Sequence, residues 1–166
     1  TLLSEECRLQ LPTDVVPTHV FLQVGCGGLA AAVMADMAHA FGPQRPRFVL
    51  VQSREADCLL ESLDRGQRTE VGGAHATLMI GIAVGEISLL AWDILRDLGD
   101  HAVAIEDADA IDAMRTLAHG SCGDPPLEIG ETGVAGIAAL MAAARDPALA
   151  ARLGLNARSR VLVVLT

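Results

Sequence analysis

The run Gln23-Val24-Gly25-Cys26-Gly27-Gly28-Leu29-Ala30 carries the residues best spaced for chemistry. An apolar stretch, Val20-Phe21-Leu22, leads into it, and an alanine-rich stretch of helical character follows. Glycines let a backbone approach an anion closely, and the free N–H groups of a helix start supply donors and a favourable dipole. Such a site needs no cationic side chain. The plainer alternative is a tight strand-to-helix turn whose glycines serve packing alone. Gly25, Gly27 and Ala30 also satisfy a loose G-x-G-x-x-A dinucleotide fingerprint, which calls for an acidic residue about 20 positions further on, after the second strand. Gln52-Ser53-Arg54 stands there, with Glu55 one step beyond. Arg54 would suit a 2′-phosphate, but the full pattern is not met.

Three further segments are rich in glycine: Val71-Gly72-Gly73-Ala74-His75, then Gly81 to Gly85-Glu86, then Gly130-Glu131-Thr132-Gly133-Val134-Ala135-Gly136. The last opens a helix that is apolar nearly all round and is therefore expected to be buried. Glycines at 130, 133 and 136 suit close helix packing, and Glu131 suits the positive end of the helix dipole. The histidines at 19, 39, 75, 101 and 119 show no ligand spacing and read as surface or supporting residues. His75 stands apart, in a glycine-flanked loop. Cys7, Cys26, Cys58 and Cys122 form no C-x-x-C pair, which argues against a zinc site or a disulfide framework. Cys26 reads as a small residue tolerated in the loop, where nearby N–H groups would favour its thiolate. Hydrolase and zinc-protease signatures are absent from the sequence.

Composition narrows the chemistry. All 12 basic residues among the 166 are arginine, and there is no lysine and no tyrosine. The chain itself therefore offers no lysine for a Schiff base, an amine base or a Walker-type phosphate site. A net charge of −9 opposes a nucleic-acid backbone, and three Phe with one Trp leave little for base stacking. A membrane span needs about 20 apolar residues. The candidate run from Val20 is broken by Gln23 and the glycines. The first residues carry no basic region of a signal peptide, so a cytoplasmic protein with reduced thiols is expected. One domain is expected, since a chain of this size can bury about 68–70% of its unfolded surface.

Short apolar runs alternate with helical stretches after a leading segment, residues 1–17. Strands are predicted at Val20–Val24, Phe48–Val51, Ala102–Ile105 and, buried at the end, Val161–Leu165. Helices are predicted at Leu29–Phe41, at about Ala56–Leu63, after Ser88, after Asp107 or Asp109, and between Asp146-Pro147 and Gly154. Continuous apolar strands alternating with helices predict a three-layer αβα domain with a mainly parallel sheet. A sequence that ends on a strand without a polar tail is expected of a fragment.

Taken together, Thr18-His19-Val20-Phe21-Leu22-Gln23 with its glycine loop, Ala56-Asp57-Cys58-Leu59, Val71-Gly72-Gly73, Thr77 to Glu86, Ala91-Trp92-Asp93-Ile94-Leu95-Arg96 and Gly130-Glu131-Thr132-Gly133 resemble one family. It is the tryptophan-synthase-β-like, fold type II group of pyridoxal-phosphate enzymes, and within it the diaminopropionate ammonia-lyases. The resemblance covers most of residues 18–166, as the larger, coenzyme-phosphate-binding domain. It implies that Gly25, Cys26, Gly27, Gly28 and Leu29 hold the coenzyme phosphate through backbone N–H groups. It implies too that Gly85 and Glu86 line the coenzyme site, that Glu131 lies near the coenzyme ring, and that the Thr166 hydroxyl faces the pyridine nitrogen. The implied reaction is α,β-elimination of 2,3-diaminopropionate, a small amino-acid substrate, to pyruvate and ammonia, by an assembly expected to be a homodimer.

The family's anchoring lysine lies upstream of the matching stretch, so no catalytic residue is assigned here and the chain alone is expected to be inactive. Gln52-Ser53 replaces a usual Glu-Pro, Ala74 a usual Asp, and Ile87-Ser88-Leu89 a Pro-Asn-Pro stretch. The competing reading is a non-catalytic α/β module for a nucleotide or another phosphorylated ligand.

Overall fold

Val20, Phe21 and Leu22 are apolar in succession because strand β1 (His19–Gln23) is covered on both faces. Val20 and Leu22 join one core layer and Phe21 the other, as the alternation of side chains along a strand requires. The computed structural model describes residues 2–12, 15–120 and 123–165. Its sheet has four strands in the order β3-β2-β1-β4, all parallel. Strand β2 spans Arg47–Ser53, β3 His101–Ile105 and β4 Val161–Val163. Phe21 is aligned with Val49 on one side and with Val163 on the other, so β1 is an interior strand.

Helix α2 (Gly28–Phe41) connects β1 to β2, and α3 (Cys58–Arg65) and α4 (Leu89–Leu98) lie between β2 and β3. These three pack on the face that carries Val20, Leu22, Phe48 and Leu50. Helices α5 (Asp107–His119), α6 (Ala135–Arg145) and α7 (Pro147–Leu153) lead from β3 to β4 over the opposite face, against Phe21, Val49 and Val51. The expected three-layer αβα arrangement with a parallel sheet is present. Ala30, Val33, Met34 and Met37 recur at helical spacing on the buried stripe of α2, and Gly42 ends that helix.

Local chemistry sets the other boundaries. Asp146 accepts hydrogen bonds from the N–H groups of Ala148 and Leu149, Pro147 opens α7, and left-handed Gly154 closes it, as the sequence predicts. Helix α5 starts one residue earlier than expected. Glu106 is its cap and Asp109 answers from the third helical position, a reciprocal box that the neighbouring aspartates disguise. Ser88 occupies the cap position of α4 but uses its backbone carbonyl, which accepts from Trp92 N–H, and its side chain caps nothing.

Helix α6 begins at Ala135, so Glu131 sits in the turn before it and not on its first residue. The last strand is shorter and less buried than its apolar sequence predicts: Val161–Val163 is half-buried, because β4 is a sheet edge. The leading segment contains a helix, α1 (Leu2–Gln10), for which the sequence analysis had no element. Leu3 packs on the core, and Arg8 Nε lies 3.1 Å from Asp36 of α2. Among the described residues, no helix is long and apolar enough to cross a membrane.

Candidate anion-binding site at the end of strand β1

The chain leaves the interior of the sheet at Val24, whose N–H still donates to Val51 O at 2.8 Å. It then turns through Gly25, Cys26 and Gly27 into α2. Gly27 adopts φ 93°, ψ −4° at the cap of that helix, a left-handed conformation that costs glycine little. The turn is clamped from outside by the N–H of Ser88, which donates to Cys26 O at 2.9 Å. Five successive backbone N–H groups, from Gly25 to Leu29, have no acceptor among the described residues. They border a cavity of about 210 Å³ lined by Gln23, the glycine loop, Gly81, Ile82 and Thr132. The cavity is narrow: a Cβ on Gly25 would stand 3.0 Å from Gly81 O, and one on Gly81 2.9 Å from Thr132 Cγ2.

This arrangement can bind an anion through main-chain donors. Each helix-end interaction with an anion is worth about 0.3–1 kcal/mol, and up to ~2 kcal/mol where partly buried. The net charge of −9 does not decide the matter, since salt screens distant charges over about 8 Å while the amides act in contact. A larger hollow, about 900 Å³, runs beside edge strand β3 near Arg54 and Arg152, and the glycine loop takes no part in it.

The other predicted residues are distributed unevenly. Gly85 lies under His75, where a Cβ would come within 2.7 Å of the ring, and its carbonyl accepts from Val71 N–H at 2.8 Å. Glu86 is exposed and paired with Arg68, so its carboxylate turns to a salt bridge on the segment before Val71. Glu131 is half-buried beside Thr132, and it is Thr132 that reaches the cavity: its Oγ1 accepts from Gly81 N–H at 3.0 Å. Thr166, like Cys122, lies outside the described residues. Cys26 is exposed in the loop, and Cys58 is buried, where desolvation raises its thiol pKa. Arg54 is held by Glu106 at 2.5 Å, which engages the one side chain that the dinucleotide reading had available for a 2′-phosphate.

His19 is not a surface residue. It is 3% exposed, its Nε2 lies 3.0 Å from Leu153 O, and burial, aided by the charge of Arg47, lowers its pKa. His75 carries φ 45° and places Nδ1 3.3 Å from Glu55 O, tying two loops together.

Sequence reasoning missed Gly81 and Thr132 as cavity residues, and no local pattern marks either. It also passed over two glutamines at adjacent strand ends. Gln52 is fully buried and fully used: Oε1 accepts from Leu59 N–H at 2.8 Å at the start of α3, and Nε2 donates to Val24 O at 3.3 Å. Gln23 is 6% exposed, and its Nε2 donates to Val164 O at 3.1 Å. Its Oε1 is buried with no partner among the described residues. A polar side chain ending an otherwise apolar run was the available signal for both.

A family model described as pyridoxal-phosphate dependent enzyme matches residues 3–166. Diaminopropionate ammonia-lyase of Escherichia coli K12 is 35% identical over 169 residues, covering 100% of this chain and 42% of the relative. The crystal structure of the Escherichia coli ammonia-lyase in complex with an aminoacrylate–PLP reaction intermediate superposes with a TM-score of 0.87 at 32% identity, over 98% of this chain and 42% of that one. Maize serine racemase shares the fold, with a TM-score of 0.76 at 21% identity over 97% of this chain and 46% of its own. The chain thus spans less than half the length of each of these relatives. With the parallel sheet, the glycine loop at the end of its interior strand and a match that runs nearly end to end, the chain belongs to the pyridoxal-phosphate-dependent enzymes of fold type II.

Proposed function

We propose that this chain is the coenzyme-phosphate-binding part of a pyridoxal-phosphate ammonia-lyase that converts 2,3-diaminopropionate to pyruvate and ammonia by α,β-elimination. The observation that carries the reading is the row of five unengaged amides, Gly25 to Leu29, around a cavity too narrow for side chains at Gly25 and Gly81. That cradle fits a phosphate ester: it offers main-chain donors, a helix start and no competing carboxylate in its lining. The 35% identity to a diaminopropionate ammonia-lyase supports the substrate.

Pyridoxal phosphate, when bound, supplies an electron sink for the pair released as a proton leaves the substrate's α-carbon. The chain's own part is to hold and orient. Gly25, Cys26, Gly27, Gly28 and Leu29 bind the phosphate. Gly85 and Glu86 line the coenzyme site from the segment whose Ser88 clamps Cys26, and Glu131, next to Thr132 of the cavity wall, lies near the coenzyme ring. Thr166 supplies a neutral hydroxyl to the pyridine nitrogen, which protonates that nitrogen less firmly than a carboxylate would and restrains the sink in favour of elimination. None of the 166 residues is a lysine, so covalent anchoring and the proton transfers that go with it fall to residues outside them.

The test mixes the protein with pyridoxal phosphate and follows its absorption. Saturable binding displaced by inorganic phosphate is expected. No borohydride-reducible adduct on a side chain is expected, and no pyruvate from 2,3-diaminopropionate. Pyruvate release by these 166 residues alone would overturn the assignment of catalysis to residues outside them. Binding of phosphate without any binding of pyridoxal phosphate would favour a phosphate-ligand module instead.

A further inference from the structure

Every buried polar side-chain atom described in the molecule has a partner except Gln23 Oε1. The orientation of that amide is fixed. A carbonyl can only accept, so the atom facing Val164 O must be the Nε2 donor, and the atom left over must be an acceptor. Leaving such an oxygen buried and unpaired forfeits its hydration without compensation, and a native fold rarely tolerates it without cause. Gln52, one strand away, shows what the same side chain does when it is purely structural: both of its amide atoms are engaged. Gln23 instead lines the cavity that the free amides border.

The cavity therefore has two polarities. One wall offers five N–H donors, from Gly25 to Leu29. Gln23 lines the same space, and its Oε1 is a buried acceptor without a partner among the described residues. A phosphate ester dianion, whose oxygens can only accept, satisfies the first and gives nothing to the second.

We infer that Gln23 Oε1 receives a hydrogen bond from a donor on the ring portion of the bound coenzyme, directly or through one water, so that Gln23 reads the ring while the glycine loop reads the phosphate. This rests on the coenzyme assignment proposed above. It adds a ligand-contacting residue to the main-chain cradle, and it gives the loop's entry strand a second purpose. Nε2 ties β1 to the chain at Val164, next to β4, which leaves Oε1 as the atom available to accept.

Equilibrium binding of two probes, pyridoxal phosphate and methyl phosphate, to the protein and to Gln23→Met and Gln23→Glu separates the possibilities, with circular dichroism to establish that each variant folds. Methionine fills a similar volume without an acceptor. It is expected to weaken pyridoxal phosphate about tenfold and to leave methyl phosphate within about twofold. It is also expected to shift the absorption maximum of the bound coenzyme. Glutamate keeps the acceptor but loses the donor to Val164 O, and should retain the wild-type absorption maximum even where its charge weakens affinity. Equal weakening of both probes by methionine would make Gln23 a structural tie and overturn the inference, as would an unchanged affinity and spectrum. Failure of the wild-type protein to bind pyridoxal phosphate while it binds methyl phosphate would instead remove the coenzyme reading itself.

Discussion

Gly27 and Gly28 are adjacent and do different work. Gly27 holds φ 93°, and a Cβ there would fall 2.5 Å from Leu95 Cδ1 and 3.1 Å from Ala91 Cβ. Gly28 has no heavy atom within 4 Å of its Cβ position. Gly27→Ala should therefore cost about 1–3 kcal/mol from the left-handed backbone, with the clash against α4 in addition. Gly28→Ala should be nearly neutral. Denaturant midpoints for the two variants check this, and equal effects would contradict the conformation described for the loop. The sequence makes the loop legible because glycine spacing before a helix has few other uses. It could not separate these two glycines, since the difference comes from Leu95, 68 positions along the chain. Glu86 and Glu131 were harder still: a carboxylate in sequence does not announce whether it meets a ligand or, as Glu86 does, an arginine.

Among the elements, α6 lies unusually close to β1. A Cβ on Gly136 would come 3.2 Å from Phe21 O, so the helix approaches the strand's backbone where other residue types would hold it away. Gly136→Leu should push α6 outward and lower stability by about 1–3 kcal/mol. The thermal midpoint should fall with it, and a midpoint unchanged from wild type would show that the contact yields freely. Apolar residues nearly all round make this helix legible as buried, although its start at Ala135 is later than the sequence suggests, because Glu131 resembles a first-turn acid. Strand β4 is shorter than its apolar sequence predicts for a different reason: apolar content reports burial, and an edge strand shows only part of it. Helix α1 left no clear trace, since it docks on α2 through few apolar residues and the Arg8–Asp36 pair, which is worth at most about 1 kcal/mol at its exposure.

Across the whole molecule, acid should act in two stages. Burial lowers the pKa of His19 and His101 below the ordinary 6.5, with Arg47 adding to the effect at both, so each is favoured neutral in the folded chain. A group whose folded pKa is depressed contributes stability above its unfolded pKa and loses it as pH falls through the folded one. The histidine contribution is thus complete above pH 6.5 and declines below it. At Asp100, burial works to raise the pKa, but the Arg45 guanidinium and the Phe48 N–H outweigh it and hold the carboxylate low. Its contribution is complete above the unfolded value of about 3.9 and is lost only in stronger acid. Thermal midpoints between pH 7.5 and 3 should fall first below about 6.5 and again below about 4. A flat profile down to pH 5 would contradict the desolvation of buried His19 and half-buried His101.

The interior position of β1 has one more consequence. The loop that offers its amides continues directly from the strand flanked on both sides by hydrogen-bonded neighbours, and it is pinned again where Ser88 meets Cys26. Fixing a residue's backbone costs about 1–2 kcal/mol of conformational entropy. Folding of the sheet has already met that cost for the five donors, so an arriving anion orders almost no chain. Preorganisation of this kind would leave the binding enthalpy largely unspent, and would let neutral amides in an acidic stretch without lysine hold a charged ligand.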